Sequence, residues 1–183
     1  MTTTLPHTTM TPRAGVKPRE RAPELDVDLV GGGHWRLHAQ QPQTFTMVLF
    51  YRGLHCPVCR AQLSELNRRL DELTSRGVNV IAVSGDTHKR AQRSAEEWRL
   101  DRLTIGYGLS EQTARAFGLF ISRGINDDEP ARFSEPGFFL IQPGGTVYYE
   151  AINSMPWGRP RLDDIIGGID YALAHDYPAR GEA

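Results

Sequence analysis

The chain has few cysteines, no long apolar run and no excess of charge of one sign. Its 183 residues include two cysteines, and 21 Lys and Arg residues nearly balance 22 Asp and Glu residues. Because these charges balance, the chain has no net positive charge that would attract a polyanion, which argues against nucleic acid as a partner. The apolar stretches are of strand length, far short of the roughly 20 residues that cross a bilayer, so neither a transmembrane helix nor a membrane partner is expected.

The composition predicts one domain with a tail at each end. Apolar residues make up 39% of the chain, which is enough for a core. Residues 1–22 are rich in Thr and Pro and are predicted to be a flexible tail, residues 23–177 form the domain, and residues 178–183 form a C-terminal tail. The N-terminus lacks the apolar core of a secretory signal, so a cytoplasmic protein is expected.

Hydrophobic periodicity predicts an α/β protein with a mixed sheet. Strands are indicated by alternating or short apolar runs at 25–29, 35–37, 45–51, 78–84, 138–142 and 146–151. Helices are indicated by apolar residues at helical spacing over 57–76, after 87, over 110–117 and from 160 onward. Residues 122–134 are predicted to be an irregular loop. The order gives a central mixed sheet with helices on both faces and an N-terminal β-hairpin, which is the thioredoxin-like fold.

Both cysteines lie in Cys56-Pro57-Val58-Cys59, where a predicted buried strand meets a predicted helix. Pro57 suits the first turn of that helix, and the backbone N–H groups there favour an anion, so a thiolate is stabilised. Cys59 falls on the apolar face and is predicted to be buried, whereas Cys56 lies at the cap and is predicted to be more exposed. The spacing allows a reversible disulfide. Arg52 and His55 flank the motif and are candidate sources of positive charge.

The cysteine pair has two alternatives to redox chemistry. A zinc site needs four ligands, and only His34, His38 or His55 could complete one, so no metal is expected. The other alternative is that both cysteines only pack in the core and have no chemical role. A CxxC that opens a helix after a strand is, however, typical of redox sites. The sequence shows no flavin, haem or nucleotide motif, so no bound cofactor is expected.

Four segments resemble a known family in the right order: LFYRGLHCPVCRAQLSEL, VNVIAVSGD, FFLIQPGGTVYY and MPWGRP. Together they resemble the peroxiredoxins of the alkyl hydroperoxide reductase C and thiol-specific antioxidant (AhpC/TSA) family, over roughly residues 22–175. The resemblance implies the thioredoxin fold, peroxide reduction by a cysteine thiolate, and a homodimer as the family-level expectation.

The chain departs from the family at the expected site. The family pattern Pro-x-x-x-Thr-x-x-Cys places Arg52 at the proline, Cys56 at the threonine and Cys59 at the peroxide-reactive cysteine. The family's active-site arginine falls on Pro136, which instead suits the cis-proline that thioredoxins place beside their CxxC. A second family arginine is retained as Arg159, which either serves the site or caps a loop.

The sequence therefore predicts a thiol oxidoreductase that cycles Cys56 and Cys59 between dithiol and disulfide. In one version a thiolate reduces a hydroperoxide, and in the other Cys56 attacks a substrate disulfide while Pro136 shapes the groove. Alignment favours Cys59 as the attacking sulfur, whereas exposure favours Cys56. Both versions require an external thiol reductant, such as thioredoxin or a small thiol. A redox-sensing or interaction protein that uses the pair only as a switch is the alternative from another class.

Overall fold

The computed structural model describes residues 15–183. In this range the strands are β1 (Asp26–Leu29), β2 (His34–Arg36), β3 (Phe45–Phe50), β4 (Val78–Val83), β5 (Thr104–Tyr107), β6 (Ile121–Arg123), β7 (Arg132–Ser134), β8 (Gly137–Ile141) and β9 (Val147–Ile152). The α-helices are α1 (Pro57–Arg68), α2 (Leu70–Thr74), α3 (His88–Glu97), α4 (Glu111–Ala116) and α5 (Leu162–His175). A 3-10 turn covers Leu37–Ala39.

Seven of the strands form one mixed sheet in the order β2, β1, β5, β4, β3, β8, β9. The central strand β3 pairs parallel with β4 and antiparallel with β8, and β4 pairs parallel with β5. Strands β1 and β2 form the N-terminal hairpin, and β1 joins the sheet by pairing antiparallel with β5. The predicted thioredoxin-like α/β fold is confirmed, because helices cover both faces of this sheet.

Strand β3 divides the core into two layers, since alternate side chains point to opposite faces of a strand. Met47 and Leu49 face a layer that contains Leu63 of α1 and Ile169 of α5. Val48 and Phe50 face the other layer, which contains Phe117 after α4 and the segment that precedes β1. All six residues of β3 are buried, as expected for a strand covered on both faces.

The predicted helix over 57–76 is interrupted. Arg69 has φ −105° and ψ 16°, so α1 ends before it and α2 begins after it. The Arg69 guanidinium lies 3.2 Å from Glu65, 2.7 Å from Glu72 and 2.7 Å from Asp163 of α5. The apolar spacing continues through the break, since Leu73 is fully buried, which explains why periodicity alone predicts one helix.

Two further segments differ from the sequence predictions. The predicted loop over 122–134 contains the hairpin of β6 and β7, in which Ser122 pairs with Phe133. Three-residue strands carry too little periodicity to be recognised in a sequence. At the other end of the domain, α5 begins at Leu162 after an extended Arg161, two residues beyond the predicted start at 160.

The predicted tails lie partly against the domain. Residues 1–14 of the predicted N-terminal tail lie outside the described residues. Val16 and Ala22 are buried, and the Arg19 backbone N–H donates to the Val147 carbonyl at 2.7 Å. Near the other end, the Arg19 side chain donates to the carbonyl of Ala179, which is also buried. Backbone hydrogen bonds join residues 19–22 to Gly145 and Val147, so composition alone does not decide whether this part of the predicted tail is ordered.

Within residues 15–183 no helix is long and apolar enough to cross a membrane.

Candidate active site

The cysteine motif comes directly after the central strand. Strand β3 ends at Phe50, a short loop crosses the sheet edge, and Cys56 is the N-cap of α1 with Pro57 in the first turn. The Cys59 backbone N–H donates to Cys56 Sγ at 3.2 Å, so the sulfur takes the place of the usual capping oxygen. The loop is fixed from the side of β4 by Asp86, whose buried carboxylate accepts from the Leu54 N–H at 2.8 Å.

Cys56 carries the more acidic of the two thiols. A hydrogen bond from the Cys59 side chain, the Cys59 backbone N–H and the positive charges of Arg159 and Arg52 together lower the pKa of Cys56 to about 6, against burial, which opposes ionisation. Because this pKa lies below neutral pH, Cys56 is mainly a thiolate there. An anion stabilised in this way is a nucleophile.

Cys59 is the neutral partner. Burial is the main cause that raises the pKa of the Cys59 thiol, and the hydrogen bond to Cys56 acts in the same direction. The thiol lies on the buried face of α1 with Leu63, as predicted from the sequence. The two cysteines are free thiols, and both are fully buried. The sequence prediction that Cys56 is more exposed is therefore wrong.

Arg159 lies against both sulfurs and contributes to their burial. Its Nη2 is 3.1 Å from Cys59 Sγ and 3.8 Å from Cys56 Sγ. The guanidinium is oriented by two neutral acceptors, since Nε donates to the Pro156 carbonyl at 2.6 Å and Nη1 donates to the Gln62 side-chain oxygen. Neither of these acceptors carries a charge that would offset the positive charge Arg159 presents to the thiol pair.

Arg52 and His55 lie on the other side of the loop, against the β6–β7 hairpin. Arg52 forms ion pairs with Glu129 and Glu135, and its guanidinium lies 4.7 Å from the centre of the Phe133 ring. The His55 ring packs on the same phenylalanine at 4.7 Å between centres. Burial, with a contribution from Arg52, lowers the pKa of His55, so this side chain is neutral at neutral pH and adds no positive charge.

Pro136 does not have the predicted cis peptide bond, since no cis bond occurs in residues 15–183. Between β7 and β8 the Glu135 N–H donates to the Phe120 carbonyl, and the Pro136 carbonyl accepts from the Asn153 N–H. Pro136 still borders the site, because it lines a cavity of about 10 Å³ together with Gln62 and Arg159.

Two larger cavities meet at the segment that carries Arg159. One, of about 460 Å³, has an apolar floor that includes Leu66 and Phe138 and a wall formed by Trp157. The other, of about 540 Å³, lies between β9 and α5. Arg159 lines both, so it separates the buried sulfurs from space large enough for a small molecule.

No group of three or more His, Cys, Asp or Glu side chains suited to a metal ion occurs in the described part of the chain. The three histidines that could complete a zinc site with the cysteines do not gather there. His34 is engaged with Asp28 at 2.9 Å, and His38 contacts the Ala22 carbonyl at 3.0 Å. His55 packs on Phe133 instead.

The sequence interpretation missed four residues of the site. Asp86 follows β4, and Gln62 lies three residues after Cys59, one turn along the same helix face, a spacing that could have identified it. Glu129 and Glu135 contact the loop only through the β6–β7 hairpin, which has no recognisable pattern in the sequence.

Comparison with known proteins agrees with this geometry. A model of the AhpC/TSA family matches residues 18–150. The chain belongs to the AhpC/TSA family. Among curated AhpC/TSA relatives, alkyl hydroperoxide reductase C of Staphylococcus haemolyticus (strain JCSC1435) is 31% identical over 121 residues, which are 63% of this chain and 59% of that protein. The same protein of Staphylococcus aureus (strain Mu50 / ATCC 700699) is 29% identical over 119 residues, again 59% of its length.

Solved structures show that this AhpC/TSA chain shares its fold with peroxiredoxins. A peroxiredoxin-like protein from Aquifex aeolicus superposes with a TM-score of 0.70 at 19% identity, covering 86% of this chain and 88% of the other. The reduced 2-Cys peroxiredoxin of Plasmodium vivax superposes with a TM-score of 0.69 at 20% identity, covering 87% and 83%.

Proposed function

We propose that the protein is a thiol-dependent peroxidase in which Cys56 attacks a hydroperoxide and Cys59 resolves the product. The observation that carries this proposal is the cluster of Cys56, Cys59 and Arg159, in which an N-cap thiolate with a pKa of about 6 lies beside a neutral thiol and a guanidinium. Membership of the AhpC/TSA family supports peroxide as the oxidant.

The proposed cycle uses sulfur alone. The Cys56 thiolate attacks the terminal oxygen of ROOH, the O–O bond breaks, and the products are Cys56 sulfenic acid and RO⁻, which takes a proton to become ROH. The Cys59 thiol then displaces water from the sulfenic acid and forms the Cys56–Cys59 disulfide. Two electrons and two protons from an external dithiol or from two small thiols restore the pair, so no bound cofactor or metal is needed.

Arg159 has two roles in this proposal. Its positive charge stabilises the attacking thiolate, and its donors face the region where the leaving oxygen gains negative charge. Because Arg159 covers the sulfurs, a small hydroperoxide reaches Cys56 with less rearrangement than a protein disulfide, which must align its S–S bond with the attacking sulfur. The burial of both sulfurs therefore favours the peroxidase over the disulfide reductase.

The electron donor and the cellular compartment are inferred from the thiol chemistry of the cycle. Recycling requires a thiol reductant, such as thioredoxin or a small thiol, which we place in the cytoplasm, where thiols are kept reduced. A homodimer is proposed from family membership.

The test measures hydrogen peroxide reduction by stopped flow for the reduced wild type and the Cys56→Ser and Cys59→Ser variants. We expect fast reaction in the wild type, loss of at least about 1000-fold in Cys56→Ser, and a retained first turnover without disulfide formation in Cys59→Ser. Loss in Cys59→Ser alone would instead assign the attack to Cys59, the family position. Rates no faster than a free thiol in all three proteins would overturn the peroxidase.

The second candidate is a disulfide reductase, favoured by the low pKa of Cys56 at the start of a CxxC. An insulin-reduction assay with a dithiol donor distinguishes it. Turnover of insulin without turnover of peroxide would establish the reductase. Turnover of neither, together with reversible formation of the Cys56–Cys59 disulfide, would instead support a redox sensor.

A further inference from the structure

We propose that the β6–β7 hairpin controls the reactivity of Cys56 through Arg52, by pairing that guanidinium with two carboxylates that partly offset its positive charge at the thiolate. Arg52, Glu129 and Glu135 are positioning residues in this proposal. It rests on the proposed function insofar as Cys56 is the reactive thiolate.

The ion pairs are shielded from solvent. Arg52 Nη2 lies 3.6 Å from Glu129 Oε1, and Arg52 Nε lies 3.2 Å from Glu135 Oε2. The side chains of Arg52, Glu129 and Glu135 are 15%, 11% and 4% exposed. Charges removed from water in this way interact more strongly and at longer range than surface ion pairs.

The hairpin also fixes where these charges lie. Ser122 of β6 donates to Glu135 Oε1 at 2.6 Å, which orients that carboxylate toward the loop. Phe133 of β7 packs under both Arg52 and His55, the residue directly before Cys56. Both ring nitrogens of His55 are buried and have no hydrogen-bond partner in the described residues. The hairpin therefore contacts the loop at both ends of the segment that leads to Cys56.

The charges around the loop do not cancel. On the side of β4 the buried Asp86 is matched by Arg90 at 2.8 Å, whereas on the hairpin side two carboxylates meet the single guanidinium of Arg52. His55 between them is neutral. These groups together carry one excess negative charge, whereas Arg159 and the Cys59 N–H face Cys56 Sγ from the other side of the loop. Removal of one carboxylate would leave less negative charge to offset Arg52 at the thiolate.

This arrangement predicts shifts of opposite sign. We expect Glu129→Gln to lower the pKa of Cys56 by about half a unit and Arg52→Met to raise it by about half a unit. In the double variant one positive and one negative charge are removed together, so the two shifts should largely cancel. The measurement is the ultraviolet absorbance of the thiolate against pH in the full chain, with the transition assigned by its loss in Cys56→Ser.

A purely structural role for the ion pairs would give a different pattern. Disruption of the loop would raise the pKa in both Glu129→Gln and Arg52→Met, and that result would overturn the proposal. Glu135→Gln tests the second carboxylate and should shift the pKa in the same direction as Glu129→Gln. Glu111→Gln is the matched control, because Glu111 pairs with Arg132 on the outer side of the same hairpin, and it should leave the titration unchanged.

Failure of this inference is distinguishable from failure of the proposed function. The titration requires no turnover, so a protein that reduces no peroxide can still show shifts of opposite sign. Conversely, an active peroxidase whose Cys56 pKa moves in the same direction in both variants would retain its proposed function and lose its proposed control by the hairpin.

Discussion

Two arginines lie on opposite sides of the loop that ends at Cys56, and they differ in what else they contact. Arg159 is oriented by the neutral oxygens of Gln62 and Pro156 and directs its charge at the sulfurs. Arg52 is paired with two carboxylates. The comparison shows that the effect of a nearby cation on a thiolate depends on its other partners as much as on its position.

The largest expected effect is a difference in the rate of reaction with hydrogen peroxide between variants of the two arginines. Arg159→Met should lower the second-order rate constant for hydrogen peroxide by about 100-fold, since it removes the donor that faces both sulfurs and the leaving oxygen. Arg52→Met should lower it less than about threefold, because Glu129 and Glu135 partly offset the charge of Arg52 at the thiolate. Stopped-flow rates measure both.

Arg60→Met serves as the control for charge alone, since Arg60 comes directly after Cys59 and its side chain is exposed. Its rate should stay within about twofold of the wild type. A loss in Arg52→Met as large as in Arg159→Met would contradict the distinction between the two sides of the loop.

The pH dependence sharpens the comparison further. Because the thiolate is the reactive form, the wild-type rate constant should fall as the pH drops through about 6 and level off above it. Without Arg159 the thiolate loses a stabilising charge, so in Arg159→Met the inflection should move up by about one unit. Rate measurements across the pH range test both, and an inflection that stays near 6 in the variant would mean that Arg159 acts only on the leaving group.

A smaller effect than that of Arg159→Met is expected when the surroundings of Arg159 are made to resemble those of Arg52. Gln62→Glu places a carboxylate on Arg159, as Glu129 and Glu135 do on Arg52, and should lower the peroxide rate constant about three- to tenfold. Gln62→Met removes the acceptor without adding charge and should cost less. Equal losses in the two variants would show that orientation, not charge, is the contribution of Gln62.

Short sequence motifs and family resemblance predicted the cysteines and Arg159, but not the carboxylates on the Arg52 side of the loop. A CxxC after a buried strand and before a Pro-started helix identified Cys56 and Cys59, and family resemblance identified Arg159. The carboxylates on Arg52 were missed, because Glu129 and Glu135 reach the loop only when three-residue strands fold back. Pro136 was predicted cis by analogy with thioredoxins, but no cis peptide bond occurs in residues 15–183, so the analogy does not carry over to this proline.

The fold shows the same division between local and long-range information. Buried strands such as β3 and β4 were predicted because nearly every side chain on them is apolar or small. The break at Arg69 was not predicted, since the leucines of α1 and α2 keep one continuous spacing. The ion pairs of Arg69 with Glu65 and Glu72 also have helical spacing, so neither the apolar pattern nor the charge pattern marks the residue at which α1 ends.

The break at Arg69 separates α1, which acts on the Cys56 thiolate, from α2, which has only structural contacts. A helix acts on its N-cap through the free N–H groups of its first turn, so the twelve residues of α1 serve Cys56 as well as a longer helix would. The segment after Arg69 contributes to packing through Leu73 and to ion pairs through Asp71 and Glu72. None of these contacts reaches the first turn of α1, so changes in α2 that keep them leave the acidity of the thiol at the start of α1 unaltered.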